Sequence, residues 1–326
     1  ALAYGVVIGA GAHLLVKVPG LVRYGFRWYP ILDLREPGLR RVLWLMWPRV
    51  LAMGTVQAAF LVNTRLASAL VSGSLSALNY AWVLVQIPQT LLGTAVGTVA
   101  FPTLAEQAAL DRRDEFLRTA SGALRVLAAF TVPATAAIWV IGPTVISVLL
   151  RTGRFDRAAA AMTFGALGMY SLGLLGHVLL EVVARTFYAR QDTRTPLVMA
   201  ACAMAANIGL ALALVGPFGH SGLAAANSLA VSLEVGLDLW LGSRAGYPLD
   251  APRLLGVLAR SALASAGMVL AAHLAMARLG VGPEPAWQLE LVRATVGAVV
   301  GGLAFLVLAR ILRLQEVSAG LAMVAR

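Results

Sequence analysis

Apolar residues fall along this chain in about nine stretches of roughly 20 to 30 residues, divided by short polar breaks that carry arginine. The stretches cover residues 1–22, 43–70, 76–105, 119–150, 159–186, 197–217, 221–243, 254–279 and 288–312. A bilayer core of roughly 30 Å is crossed by about 20 apolar residues in a helix. Lipid satisfies no backbone hydrogen bond, so open strands and loops do not cross it. The pattern therefore predicts an all-α, polytopic transmembrane helical bundle of about nine spans. Pro133 and the pair Gly142-Pro143 fall inside the fourth stretch and predict a kink there. Such breakers are tolerated where neighbours or water satisfy the freed carbonyls.

Composition sharpens this picture. With 60% hydrophobic and 13% charged residues and a mean hydropathy of +0.81, no soluble core could bury the apolar surface. A net charge of +11 does not point to nucleic acid, because the basic residues are scattered between apolar segments and form no continuous phosphate-facing patch. Their sidedness is informative instead. If successive stretches alternate in direction, seventeen arginines lie on one side, from Arg23 through Arg112, Arg190 and Arg244 to Arg313 and Arg326. Only five, Arg151, Arg154, Arg157, Arg278 and Arg293, lie on the other. Cytoplasmic loops hold the excess of Lys and Arg, which predicts an inner-membrane protein with Ala1 outside and the C-terminus cytoplasmic. Cys202 is the one cysteine, so no intrachain disulfide is possible. The chain opens on Ala1 within an apolar stretch, without an initiator Met or a charged leader, so upstream helices are expected to be missing.

The third stretch and its approach read Ser72-Gly73-Ser74-Leu75-Ser76-Ala77-Leu78-Asn79-Tyr80-Ala81, then Ile87-Pro88, Gly93-Thr94-Ala95-Val96-Gly97-Thr98 and Pro102-Thr103-Leu104. Physically this is a helix with a small-residue packing face, a proline that loosens one turn, and a few polar groups that need partners. Further along stand Gly153-Arg154-Phe155-Asp156, then Phe187-Tyr188-Ala189-Arg190-Gln191-Asp192-Thr193-Arg194-Thr195-Pro196, then Asn207 followed by Gly222-Leu223-Ala224. In this order and spacing, over residues 50–240, the pieces resemble the MurJ/MviN family of lipid II flippases. That family lies within the multidrug/oligosaccharidyl-lipid/polysaccharide exporter superfamily.

The resemblance implies an incomplete MATE/MOP-like transporter fold, the sixth to the fourteenth of the family's fourteen helices. It implies a carrier, not an enzyme, without cofactors. Its partner would be undecaprenyl-pyrophosphate-linked disaccharide-pentapeptide, moved from the inner to the outer leaflet by alternating access for cell-wall biogenesis. Residues 1–41 would complete an absent N-terminal lobe, with which the chain would work. Residues 42–250 would form the C-terminal lobe, and residues 251–326 two further helices grooved for the prenyl tail.

A charged side chain at mid-bilayer costs roughly 2.5–3.5 kcal/mol on insertion scales, so each needs a reason. Lys17, Arg125 and Asp238 stand near span ends and are expected to snorkel. Arg49 follows Pro48 about two turns into the second stretch, where a guanidinium grips a pyrophosphate bidentately. Lys17 is the alternative grip, and Asn79, Tyr80 and Gln86 are the neutral groups expected at the same headgroup site. Arg65 is expected either to pair with Glu181 or to reach the headgroups. The resemblance also shows departures. Where the family carries a cavity arginine, this chain has Val83, and at the family's sodium-site positions it has Asn63, Asn207, Ala211 and Asn227, without either aspartate. Neutral amides lose most of the Coulomb attraction for a dehydrated cation, so no tight sodium site is expected.

The four histidines, His13, His177, His220 and His273, lie in different segments without metal-ligand spacing. A polyprenyl-phosphate transferase would need a magnesium-holding acidic cluster, and the dense group Asp111, Asp114 and Glu115 is interleaved with Arg112 and Arg113, which favours a solvated loop. The alternatives to lipid II transport are another carrier of the superfamily and a transport-silent membrane scaffold.

Overall fold

The computed structural model describes residues 2–23, 25, 39, 54, 57, 60–150, 155–279 and 287–317. The chain divides into two compact units, Ala1–Leu51 and Ala52–Arg326. The first contains α1 (Leu2–Arg23), on which Lys17 is exposed. Arg49 lies outside the described residues.

In the second unit, residues 60–68 form a helical segment, α2. It is followed by α3 (Ser74–Gln89), a π-helical turn Thr90–Thr94, α4 (Ala95–Ala109), α5 (Arg113–Leu150), α6 (Arg157–Leu172), α7 (Leu174–Ala189), α8 (Arg194–Arg244), α9 (Ala251–Ala277) and α10 (Trp287–Ile311). No strand occurs among the described residues. Apolar side chains such as Leu212, Leu263, Leu270, Val299 and Leu303 are exposed, as a lipid-facing surface requires.

Prolines and glycines set the bends. Pro88 has no N–H to give Leu84, and the backbone widens into the π turn directly after it before helix resumes. α3 and α4 therefore form one apolar run of 36 residues. α5 instead continues as a helix through both Pro133 and Pro143. Pro133 frees the carbonyl of Ala129, and the hydroxyl of Ser261 on α9 donates to that oxygen at 3.0 Å. α6 and α7 are bent by 42° at Gly173.

Five described helical runs are long and apolar enough to cross a membrane, or six if α6 and α7 count as one bent span, so the expected nine are not confirmed. Part of the difference is α8, whose 51 residues merge two of the predicted stretches. Gly219, at φ 55° and ψ −135°, breaks it into two halves. In an unbroken helix residues 214 and 222 stand about 12 Å apart, yet a Cβ on Gly222 would collide with the Leu214 carbonyl. The chain thus doubles back at Gly219, and α8 is a helical hairpin. The stretch at 43–70 lies partly outside the described residues, and the apolar part of α1, Val7–Leu21, is short.

Small residues let helices approach closely. Gly301 of α10 faces Met268 and Ala272 of α9, and Gly176 of α7 lies against Val231 and Ser232 of α8. The α4–α5, α7–α8 and α8–α9 connections and the segment after α10 meet at one end. There Arg113 donates to the Gly246 carbonyl, and Arg190 stacks 4.1 Å from the Tyr247 ring centre. Arg125 lies 3.9 Å from Asp250 and 3.5 Å from Glu316. Arg112 pairs with Glu115 at 3.7 Å, both well exposed, as a solvated loop would have them.

Candidate functional site

Two cavities interrupt this apolar bundle. The larger, about 590 Å³, lies between α2, α3, the α6–α7 pair and both halves of α8. Helical periodicity explains who lines it. Asn227, Ala230, Val231 and Glu234 follow one face of α8, while Ala200, Ala203 and Asn207 follow one face of its first half. Asn63 and Thr64 enter from α2, Asn79 and Trp82 from α3, Tyr170 and His177 from α6 and α7.

The lining is a hydrogen-bonded set. Asn63 Nδ2 donates to Asn207 Oδ1 at 3.0 Å, which leaves the buried Asn63 Oδ1 and Asn207 Nδ2 without a partner among the described residues. His177 Nε2 donates to Asn227 Oδ1 at 3.0 Å, and the Trp82 ring packs edge-on against both His177 (5.4 Å) and Tyr170 (5.2 Å). Among the described lining residues Glu234 is the single carboxylate, and no lysine or arginine occurs.

A second cavity of about 510 Å³ shares His177 and Leu180 with the first. On its wall, Glu181 and Arg185 stand one turn apart on α7 and pair at 2.5 Å. Their helix sits close to α4 because Gly93 and Gly97 present no side chain towards Glu181 and Arg185. The partner of Glu181 is thus Arg185, not Arg65.

Of the described residues expected at a headgroup site, only Asn79 lines either cavity. Tyr80 is exposed and packs edge-on against Phe155 at 5.6 Å, and Gln86 is exposed and lines neither. Val83, at 59% exposure, lines neither as well. Asn63, Asn207 and Asn227, matched to sodium-site positions by the family resemblance, do converge on one cavity. Asn207 Oδ1 is taken by Asn63 and Asn227 Oδ1 by His177, Ala211 offers no side-chain oxygen, and Asn63 Oδ1 is the one amide oxygen left without a partner at these positions among the described residues.

Sequence reasoning missed Glu234 as a cavity residue and misplaced Asp238. Asp238 does not snorkel; it is 0% exposed. Phe116 of α5 and Phe187 of α7, both distant in sequence, and Tyr247 of the following loop line the small cavity with it. The spacing of Glu234 and Asp238, one turn apart on one face, was the available signal.

The loop motifs have local structural roles. Asp156 caps α6 by accepting from the Ala159 N–H at 2.8 Å. Asp192 accepts from the N–H groups of Arg194 (3.1 Å) and Thr195 (3.0 Å) and from the Thr195 hydroxyl (2.7 Å), which fixes the start of α8. Partial burial pushes its carboxyl up, but these bonds and the charge of Arg190 outweigh that and hold it below the usual carboxylate value.

Apolar helices bent at proline and glycine, packed through small residues and enclosing hydrogen-bonding cavities, define a lobe of a polytopic membrane transporter. A profile for the lipid II flippase MurJ matches residues 1–314, and the chain belongs to that family. Among its relatives, the lipid II flippase MurJ of Burkholderia cenocepacia is 32% identical over 248 residues, 75% of this chain and 48% of the relative. A probable lipid II flippase MurJ of Rhizobium meliloti is 33% identical over 279 residues, 84% of this chain and 50% of the relative. The chain thus spans about half the length of the curated relatives it matches. In structure it is similar to a lipid II flippase MurJ in an inward closed conformation, with a TM-score of 0.70 at 22% identity, over 88% of this chain and 57% of the other.

Proposed function

We propose that this chain is the C-terminal part of a carrier that moves lipid II from the inner to the outer leaflet of the cytoplasmic membrane, without covalent chemistry. Family membership supports the cargo. The observation that carries the mechanism is the 590 Å³ cavity, whose largely apolar wall carries a group of amides, a histidine and one carboxylate among lipid-facing helices. Alternating access needs such a chamber beside helices that rock as rigid bodies. Asn79, the amides of Asn63 and Asn207, and Trp82 offer hydrogen bonds and a stacking surface to sugars and peptide. Arg49 and Lys17 remain the basic groups assigned to the pyrophosphate, and Tyr80 and Gln86 the further neutral groups. The arginine excess of the loops supports a cytoplasmic C-terminus, and the exposed leucines and valines of α9 and α10 support a prenyl-tail surface.

A second reading, another prenyl-linked sugar carrier of the superfamily, is favoured by Val83 and by a described cavity lining without a basic side chain. Full-length protein, including its upstream helices, reconstituted in vesicles with labelled lipid II separates the two. Lipid II is expected to become accessible at the opposite leaflet. Transfer of other prenyl-linked sugars without lipid II would leave only the second reading.

A further inference from the structure

We propose that Glu234 and Asp238 form a proton-exchange pair in the second half of α8, joining the large cavity to the arginine-rich end of the lobe. The pair rests on cavity geometry and not on the identity of the cargo.

Asp238 is fully buried in an apolar helix, and neither of its carboxylate oxygens has a hydrogen-bond partner among the described residues. An ionised carboxylate without a partner is not tolerated in such surroundings, whereas the neutral acid is. Asp238 also lines a small cavity of about 10 Å³ with Thr186, Arg190 and Tyr247, the volume of one water molecule. Arg190 faces that cavity without neutralising the acid. Its guanidinium stacks on the rings of Phe187 (4.7 Å) and Tyr247 (4.1 Å), and its Nε donates to the Thr186 carbonyl at 3.1 Å. One turn earlier on the same face, Glu234 opens into the large cavity.

The groups that face the pair are few. Tyr247 and Arg190 reach Asp238 from the two loops, and α5 contributes the uncharged Phe116. Tyr188 of α7 lies within electrostatic reach of both acids and of the Glu181–Arg185 pair. Around the cavity that Glu234 lines, α6 and α7 present Tyr170 and His177, and α2 and α3 present neutral amides and hydroxyls.

Exchange then runs in single proton steps. Asp238 releases its proton to a water in the small cavity and so to solvent at the arginine-rich end, with Arg190 beside the carboxylate that forms. Glu234 passes its proton to Asp238 and recovers one from water in the large cavity. The reverse order carries a proton inward, and no other bond changes.

Infrared titration of this chain in lipid bilayers tests the pair. Wild type is expected to show two protonated-carboxyl components that Asp238→Asn and Glu234→Gln each remove singly. In each variant the surviving component is expected to titrate with a midpoint displaced by about one pH unit or more. Circular dichroism verifies that helix content is kept, and Asp238→Glu, which retains a carboxyl, is expected to restore the second component if Asp238→Asn folds poorly. The proposal is overturned if neither substitution removes a component, if only the Glu234 component exists, or if each midpoint ignores removal of its neighbour.

Discussion

Gly173→Ala probes the close approach on which the lobe's shape depends. Gly173 joins α6 to α7 at the 42° bend. A Cβ there would stand 2.6 Å from the Oγ of Ser228 and 2.6 Å from its Cα, and the Cα is backbone of α8 that cannot rotate aside. Alanine must therefore push the bend off α8. The displaced Ser228 loses its hydroxyl bonds to the Met169 carbonyl (2.7 Å) and the Tyr170 carbonyl (3.3 Å). Overpacking costs about 1–3 kcal/mol, and the lost hydrogen bonding about 0.5–1.5 kcal/mol. Alanine's better helix propensity returns about 0.8–1.0 kcal/mol. The net expectation is a loss of about 1–3 kcal/mol. Gly209→Ala, on α8 with nothing within 4 Å of its Cβ, is the internal control and is expected to be neutral or slightly stabilising. Reversible unfolding in mixed micelles, followed by helical circular dichroism, measures both. If Gly173→Ala unfolds at the wild-type midpoint with unchanged helix content, the α6–α8 contact does not carry the energy assigned to it.

Ser261→Ala is expected to cost about 1–3 kcal/mol, because the Ala129 carbonyl freed by Pro133 is left unpaired in the apolar interior. In a Pro133→Ala background the restored N–H can serve that carbonyl, so the same substitution should cost clearly less, and equal losses in both backgrounds would refute the assignment. Asp192→Asn removes a carboxylate that is held below its ordinary value in the folded protein. A depressed acid stabilises above the unfolded value of about 3.9 and loses that contribution as pH falls through the lower folded value. Wild-type stability should therefore decline below about pH 5 more steeply than that of the variant, and Asp192→Asn, which keeps an acceptor but loses the charge at the start of α8, should cost about 0.3–1 kcal/mol at neutral pH. Parallel pH–stability curves for the two proteins would be the contrary result.

Length and hydropathy sufficed to place α5, α9 and α10, because a run of about 20 apolar residues has one solution in lipid. They did not show how the remaining runs are joined or broken. The stretches 197–217 and 221–243 are halves of one helical hairpin, since the break between them is a single glycine with helix resuming directly on either side. The third stretch contains a π turn that only the geometry around Pro88 discloses. The family resemblance, and not spacing, brought Asn63, Asn207 and Asn227 together, and they line one cavity. Burial does not follow from spacing. Asp238 stands six residues from the end of α8 and reads as a headgroup-seeking side chain, until Phe116 and Phe187 of distant elements and Tyr247 of the following loop line a small cavity with it. Tyr80 and Gln86 share a helix with Asn79 but line neither cavity, for the same reason: a polar residue on a span acquires a role only from what packs opposite.

The distribution of charge bears on the anionic cargo proposed for this chain. An anionic pyrophosphate entering near an ionised Glu234 is repelled by about 1.7 kcal/mol per unit charge at roughly 10 Å and an effective dielectric constant of 20. No basic side chain among the described lining residues offsets this, and the Arg185 guanidinium of the neighbouring cavity is already engaged by Glu181. A proton on Glu234 removes the repulsion. By linkage, an anion in the cavity then favours the proton as much as the proton favours the anion. If the chain carries such a cargo, its release on the far side would weaken the hold on the proton, and the proposed pair would give that proton an exit through Asp238. Glu234 and Asp238, unlike Glu181, have no ion pair among the described residues, and on this proposal they would couple cargo movement to proton movement.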